Sequence, residues 1–527
     1  MGEWTNGANA DRSGRGEWVR LGSLLLVGCL VLGVFAANAH SFTDGQGGVP
    51  LDDAWIHFQF ARNLARGDGL SFNPGEPTSG STAPLWTLLL AAVYLAGGDF
   101  PIAGQVLSGV CFLATLAATY ALGKRITGER WAGWLAGMVV AVNGRMVWAG
   151  LSALETCLFA ALSLCAIYAH LDDRASGRYR LRTAALFGLA ASSRPEGYLL
   201  FALAMADFGV QVCKSASGQV GESASGQMRR RLPLASCILH LALPGVLFAA
   251  IVLPYLVFSW RTGGHLLPNT YHAKAVVDFS LDFNFVSVAA RYLILDNPLL
   301  LPFYVLGIGA LFKRARLLSL WSVGLPLVYA LLHAILYQHG RYLIPLIPCN
   351  AVVAIAGLLE AQRIARRRRW RIETGFFLKN RVSVWTILII AATAWRLPTM
   401  ANLYAWNVDN INKMHVALGQ WAAEHTPPDT VLALNDIGAI AYFSERPVLD
   451  LAGLITPEVV PLLRSPDRDA LLADFMAERN AGYVIILPNW FPGLAARDDV
   501  LEEVHRVTLE RNTVVGGETM VVYRADW

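Results

Sequence analysis

The chain has 527 residues, of which 55% are hydrophobic and only 16% charged, with a mean hydropathy of +0.43. Soluble domains carry roughly a quarter charged residues, so this balance excludes an ordinary soluble protein and reads as a polytopic membrane protein. The net charge of +4 says little, but the basic residues bunch at Lys124-Arg125, Arg229-Arg230-Arg231, Lys313-Arg314 with Arg316, and Arg363 through Arg371, between apolar stretches. Such runs mark loops that face lipid headgroups on the inner side rather than a nucleic-acid surface. The seven cysteines form no CxxC pair and none lies beyond Cys349, so neither a disulfide framework nor a zinc site is implied.

In chain order, a polar tail of residues 1–20, expected in the cytoplasm, precedes a first apolar helix at 21–37. Ala37-Asn38-Ala39 resembles a cleavage site, yet an uncleaved helix is the better expectation, because everything downstream also lives in the membrane. Further apolar stretches lie at 101–122, 131–149, 150–170, 182–206, 235–258, 318–338, 342–360 and 381–397, with shorter ones at 83–97 and 299–312. At about twenty residues per crossing this gives about 11 transmembrane segments. Eleven plain crossings, however, put Lys124-Arg125 and the Arg174–Arg182 run outside, against the basic-residue rule. The expectation is therefore a break within 182–206 at Ser193-Arg194-Pro195-Glu196-Gly197, where proline, glycine and two charges interrupt the apolar run.

SASGQVGESASGQM, from residue 215 on, reads as a flexible linker. Residues 21–397 thus form a membrane core with a first outer loop at 38–82. From 398 to 527 the composition changes to that of a small extracytoplasmic α/β domain. It has helices at 408–424 and 468–480 and strands at VLALN, VLDLAG, YVIIL, VHRVTL and MVVYRA.

Polar residues gather on the outer side of this layout, where ionisable groups next to hydrocarbon are costly. Asp52 and Asp53 open the amphipathic stretch DDAWIHFQFARNL, followed by His57. SALETCLF carries Glu155, SRPEG carries Arg194 and Glu196, HLLPNTYHAK carries Asn269, Tyr271, His272 and Lys274, and QHGRYLIP carries Arg341 and Tyr342. A carboxylate base, cations and hydrogen-bond donors at one membrane face suit transfer of a sugar from a lipid-linked phosphate. The leaving phosphate needs Arg or Lys, and the acceptor hydroxyl needs one base, giving a single displacement with inversion. No Gly-rich phosphate cradle is present, which argues against nucleotide-sugar donors and ATP-driven transport. A divalent metal bound through His57 is not favoured, and no cofactor is expected.

The stretch DDAWIHFQFARNLARGDGLSFNPGEPTSGSTAPLWTLLLA, residues 52–91, resembles the first extracytoplasmic loop of GT-C superfamily glycosyltransferases. It is most similar to the branch holding the mycobacterial terminal arabinofuranosyltransferases and their bacterial relatives. The resemblance continues in order through SALETCLFA, SRPEG, LLPNTYHAK, HGRYLIPLIP and NDIGAIAYFSERPVLDLAGL. It implies a multi-helix core in a bacterial plasma membrane, polyprenyl-phosphate sugar donors, catalysis on the extracytoplasmic face, and an essential first-loop aspartate. That aspartate falls on Asp52 or Asp53, with Asp52 slightly favoured. Pro268-Asn269-Thr270 and Gly340-Arg341 match family segments; apart from the resemblance, the charges of Lys274 and Arg341 make them the expected partners of the donor phosphate. Thr78-Ser79-Gly80-Ser81-Thr82-Ala83-Pro84 departs from the aromatic-containing segment of the arabinofuranosyltransferases, so the donor sugar stays open. Partners are the lipid-linked donor, a glycan or lipid acceptor and membrane lipids. The competing expectations are a flippase for lipid-linked saccharides, which would place charges through mid-membrane positions, and a glycan-binding scaffold.

Overall fold

A computed structural model describes residues 3–219, 226–274, 280–334, 338–367 and 381–527, with the side chains of 3–15, 212–219, 226–241, 272–274, 366 and 381–383 outside that description. The architecture is a helical membrane core carrying one five-stranded sheet near its C-terminus. Among the described residues, six helices are long and apolar enough to cross a membrane: Gly16–Phe42, Phe100–Thr127, Thr156–Ser176, Ala242–Gly263, Gln338–Ala365 and Val384–His425. A seventh is added if Phe283–Asp296 and Pro298–Leu311, bent by 104° at their junction, form one span. Pro84–Leu95 and Arg316–Leu331 are apolar but shorter, so the chain is a multi-pass membrane protein by its six longer helices, and the count of eleven spans stays an expectation.

The expected break in 182–206 is present. Leu181–Ser193 ends where Arg194 turns to extended backbone, and a new helix starts at Glu196. The two run antiparallel. Arg182, at the start of the first, meets Asp172, which also holds Arg125, while Asp207 and Gln211, far along the second, meet Arg174. Arg316 joins the same buried Asp207. Lys124-Arg125, Arg174–Arg182 and Arg316 therefore share one face of the bundle, which removes the conflict in the sequence-based count.

Three other expectations shift. The 131–149 stretch is two helices, Arg130–Ala141 and Gly144–Gly150, because Asn143 caps the second by accepting hydrogen bonds from the Arg145 and Met146 N–H groups. The 83–97 stretch forms only a 12-residue helix, Pro84–Leu95, too short to span. The helix expected at 408–424 is the end of a 42-residue helical run from Val384, interrupted by a π-turn at Asn412–Val416.

The C-terminal strands are β1 Val431–Leu434, β2 Val448–Asp450, β3 Ala481–Ile486, β4 Leu501–Thr508 and β5 Thr519–Ala525, as the sequence indicated. Their order is β2-β1-β3-β5-β4, with β1 parallel to β2 and β3, and β5 antiparallel to β3 and β4. One sheet face packs Leu432, Ile485 and Val522 with Met414 and Leu418 of the long helix and with Phe60 and Phe72 of the first loop. The other face packs Ala433, Val484 and Val521 on Leu472 and Met476 of the Arg468–Glu478 helix. Asn73 extends the β2 edge, its side chain donating to the Val448 carbonyl and accepting from the Val448 N–H at 3.0 Å each. The first loop is thus locked to the C-terminal domain by shared core and by hydrogen bonds.

Candidate active site

The Asp52–Arg66 helix begins without a side-chain cap, and its first turn carries Asp52 and Asp53, the charge that a helix N-terminus favours. Adjacent helical residues point in different directions, and the two acids part company here. Asp52 turns to the C-terminal domain, where its two oxygens accept the Gly438 and Ala439 N–H groups at 2.8 and 2.7 Å. Only glycine fits at 438, since a Cβ there would lie 2.2 Å from the Asp52 carbonyl oxygen. Burial pushes the Asp52 carboxyl up to about 6, against the opposing charge of His415 and with the help of neighbouring Asp436. His415 lies in the π-turn and pairs with Asp436 at 3.1 Å.

Asp53 forms an ion pair with Arg341 instead. Arg341 is buried, whereas the Asp53 side chain keeps 35% of its surface exposed and within reach of a bound molecule. Arg341 is presented by a left-handed turn in which Gln338, His339 and Gly340 have φ of 39°, 61° and 67°. Positive φ at two non-glycine residues is strained and needs outside support. Arg145 supplies it: Nε donates to the His339 carbonyl at 2.8 Å and Nη2 to the Gly340 carbonyl at 2.9 Å, while Nη1 holds Asp296 at 2.7 Å. From the other side, Asn407 Oδ1 accepts from His339 Nε2 and Trp148 Nε1, both at 2.9 Å.

Behind Arg341 a buried polar chain runs through the core. Its Nη2 reaches the Tyr342 hydroxyl at 3.4 Å, Tyr342 lies 5.7 Å from the Tyr329 ring, and the Tyr329 hydroxyl donates to Glu196. Arg194 forks between Glu196, at 2.6 Å, and Glu155, at 2.8 Å, and His57 lies 3.5 Å from Glu155. Arg194, and His57 when protonated, answer the charge that Glu155 would otherwise bury alone. Arg341 Nε, Glu196 Oε2 and His57 Nδ1 are buried without a hydrogen-bond partner among the described residues, which leaves unspent polar capacity in this cluster.

Seven residues expected from sequence, Asp53, His57, Glu155, Arg194, Glu196, Arg341 and Tyr342, therefore converge. Asn269 does not present its amide to them. It is buried against the first loop, accepting from Ser79 Oγ at 3.0 Å, and Thr270 binds the Gly80 carbonyl at 3.0 Å. The plain Thr78–Ser81 segment is the surface on which the Pro268-Asn269-Thr270 loop is fastened. Tyr271 is half-buried in the short Asn269–Lys274 helix that follows, and the side chains of His272 and Lys274 lie outside the described residues. Among the described residues, no three of His, Cys, Asp and Glu converge as metal ligands. Sequence reading missed Arg145, which sat inside an apparent span, and Asn407; the Asn143-Gly144-Arg145 break was the available signal for the first.

Residues 402–523 match a family model described as a domain of unknown function, DUF8728. A comparison with curated proteins found no match. Among solved structures, ArnT from Cupriavidus metallidurans bound to undecaprenyl phosphate is similar, with a TM-score of 0.58 at 14% identity over 95% of this chain and 98% of that one. The archaeal oligosaccharyltransferase AglB from Archaeoglobus fulgidus, in complex with an inhibitory peptide and a dolichol-phosphate, follows with a TM-score of 0.53 at 14% identity, over 87% of this chain and 69% of that one. The mycobacterial arabinofuranosyltransferase AftD scores 0.47 at 15% identity, over 95% of this chain and 41% of that one, too low a score to favour arabinose.

Proposed function

From the GT-C membrane glycosyltransferase fold that the chain shares with these proteins, we propose that it moves a sugar from a polyprenyl-phosphate donor to a hydroxyl of a cell-envelope glycan or lipid on the extracytoplasmic face. The observation that carries this reading is the Asp53–Arg341 ion pair, a reachable carboxylate set against a buried guanidinium at one end of a membrane bundle. The similar structures bound to undecaprenyl phosphate and dolichol-phosphate support a lipid-phosphate ligand.

Asp53 is the base in this account, in place of the Asp52 slightly favoured from sequence, because Asp52 spends both oxygens on the C-terminal domain. When donor binds, Arg341 exchanges Asp53 for the donor phosphate, which releases the carboxylate from the guanidinium. The acceptor oxygen bonds to the anomeric carbon from the face opposite the phosphate, and its proton passes to Asp53. The bond to the phosphate oxygen breaks with its electron pair, leaving polyprenyl phosphate as an anion that Arg341 stabilises, with Lys274 proposed as a second cation. Glu155, Arg194, Glu196, His57, Tyr329 and Tyr342 position Arg341, and Asn269 fastens the loop that carries Tyr271 to the first loop.

The test is transfer of radiolabel from a panel of polyprenyl-phosphate sugars by the purified protein in proteoliposomes. Label appearing in a glycan or lipid acceptor supports the reading and identifies the sugar. Label that crosses the bilayer without changing carrier would instead make the protein a flippase.

A further inference from the structure

A cavity of about 330 Å³ lies beside the strained turn and is lined by Arg145, Arg291, Tyr292, His339, Arg396 and Met400, with Val288, Leu295 and Leu403 completing an apolar wall. Arg341 is not among its lining residues. Of the three guanidiniums, Arg145 is neutralised by Asp296 and stacks 4.3 Å from the Tyr292 ring centre. Arg291 and Arg396 make no ion pair within 4 Å among the described residues; Asp296 also feels the Arg396 charge, so three guanidiniums and one carboxylate leave a net charge of two for a ligand to answer. A phosphate monoester carries about −1.5 to −2 charge at neutral pH, which matches that balance.

The surroundings are those of a lipid-facing mouth. On the Phe283–Asp296 helix, Phe283, Val286 and Ile294 are exposed, as is Trp395, next to Arg396. Exposed apolar side chains around cations, with a tryptophan at the rim, are the composition of the membrane–water interface.

We infer that this cavity is a second lipid site, which takes the phosphate of a membrane lipid between Arg291 and Arg396 and lays the start of its chain on Val288, Leu295, Met400 and Leu403. A polyprenyl phosphate is a phosphate monoester, while an anionic phospholipid offers the same two arginines a phosphodiester of single negative charge. Because His339 and Arg145 border the cavity while the same turn carries Arg341, a bound lipid steadies the turn that the Asp53 site depends on. The inference requires no transfer activity, so it stands or falls separately from the proposed reaction.

The test is native mass spectrometry of the full-length protein released from phosphatidylcholine nanodiscs doped with polyprenyl phosphate or with phosphatidylglycerol. Taking about a fivefold effect per surface cation, Arg291→Gln with Arg396→Gln weakens lipid retention about twenty-fivefold, and Arg291→Lys with Arg396→Lys preserves most of it. Retention of both lipids identifies a general anionic-lipid site, and retention of polyprenyl phosphate alone identifies a carrier-lipid site. Unchanged retention in the double glutamine variant would overturn the inference and reduce both arginines to interface anchors. So would retention that is lost only on Arg341→Gln, which would place the lipid phosphate at Arg341.

Discussion

Arg341 pairs with Asp53 across the junction of the first loop and the left-handed turn that precedes the Ile347–Arg367 helix. A guanidinium offers a planar fork that an ammonium lacks, so exchanging a carboxylate for a phosphate is a property of arginine at this position. Arg341→Lys is expected to keep the protein folded while lowering kcat/KM at least about tenfold, the cost of losing bidentate phosphate contact. Wild-type kcat/KM in that variant would remove Arg341 from the donor phosphate.

Arg194 is the hub of the buried chain, shared by Glu155 and Glu196. Removing one partner from a buried ionic cluster leaves uncompensated charge, so Arg194→Met is expected to lower stability by about 3–5 kcal/mol. Denaturant unfolding in detergent measures this directly. A loss below about 1 kcal/mol, the range of surface ion pairs, would mean that water reaches the cluster.

The raised Asp52 carboxyl gives a signed pH dependence. With an ordinary value of 3.8 and a folded value of about 6, the folded protein holds this proton more tightly than the unfolded chain does. Between about pH 4 and pH 6 the folded state therefore binds more protons, and stability from this group falls as pH rises. Asp52→Asn is expected to flatten that decline relative to wild type in thermal unfolding across the window. Parallel profiles for the two proteins would contradict the burial of Asp52 against Gly438.

Gly340 combines a φ of 67° with a Cβ position 2.6 Å from the Tyr292 ring. Gly340→Ala is expected to cost about 1–3 kcal/mol of stability and to reduce transfer by displacing Arg341. Equal transfer by variant and wild type would show that the turn has slack.

Much of this arrangement was legible in the sequence where polarity interrupted hydrophobicity. Ser193-Arg194-Pro195-Glu196-Gly197 announced its own break, because two charges and a proline cannot continue a lipid-facing helix, and the structure ends and restarts a helix there. The C-terminal strands were legible from their short apolar runs. What stayed hidden depends on contacts far apart in sequence. Asp52 and Asp53 look equivalent until the N–H groups of Gly438 and Ala439, 386 and 387 residues away, claim the first. Arg145 sits in an apolar stretch and shows its purpose only when the 338–341 turn folds against it. The 83–97 stretch read as a crossing from hydropathy alone, which does not distinguish a short packed helix from a short span.

The central claim is that Asp53, and not Asp52, takes the acceptor proton. The measurement is single-turnover sugar transfer from a polyprenyl-phosphate donor by wild type, Asp53→Asn and Asp52→Asn, each first shown to be folded. The account predicts a loss of about 10²–10⁴-fold for Asp53→Asn and near-wild-type chemistry for Asp52→Asn. The reverse order, or undiminished transfer by Asp53→Asn, would contradict it.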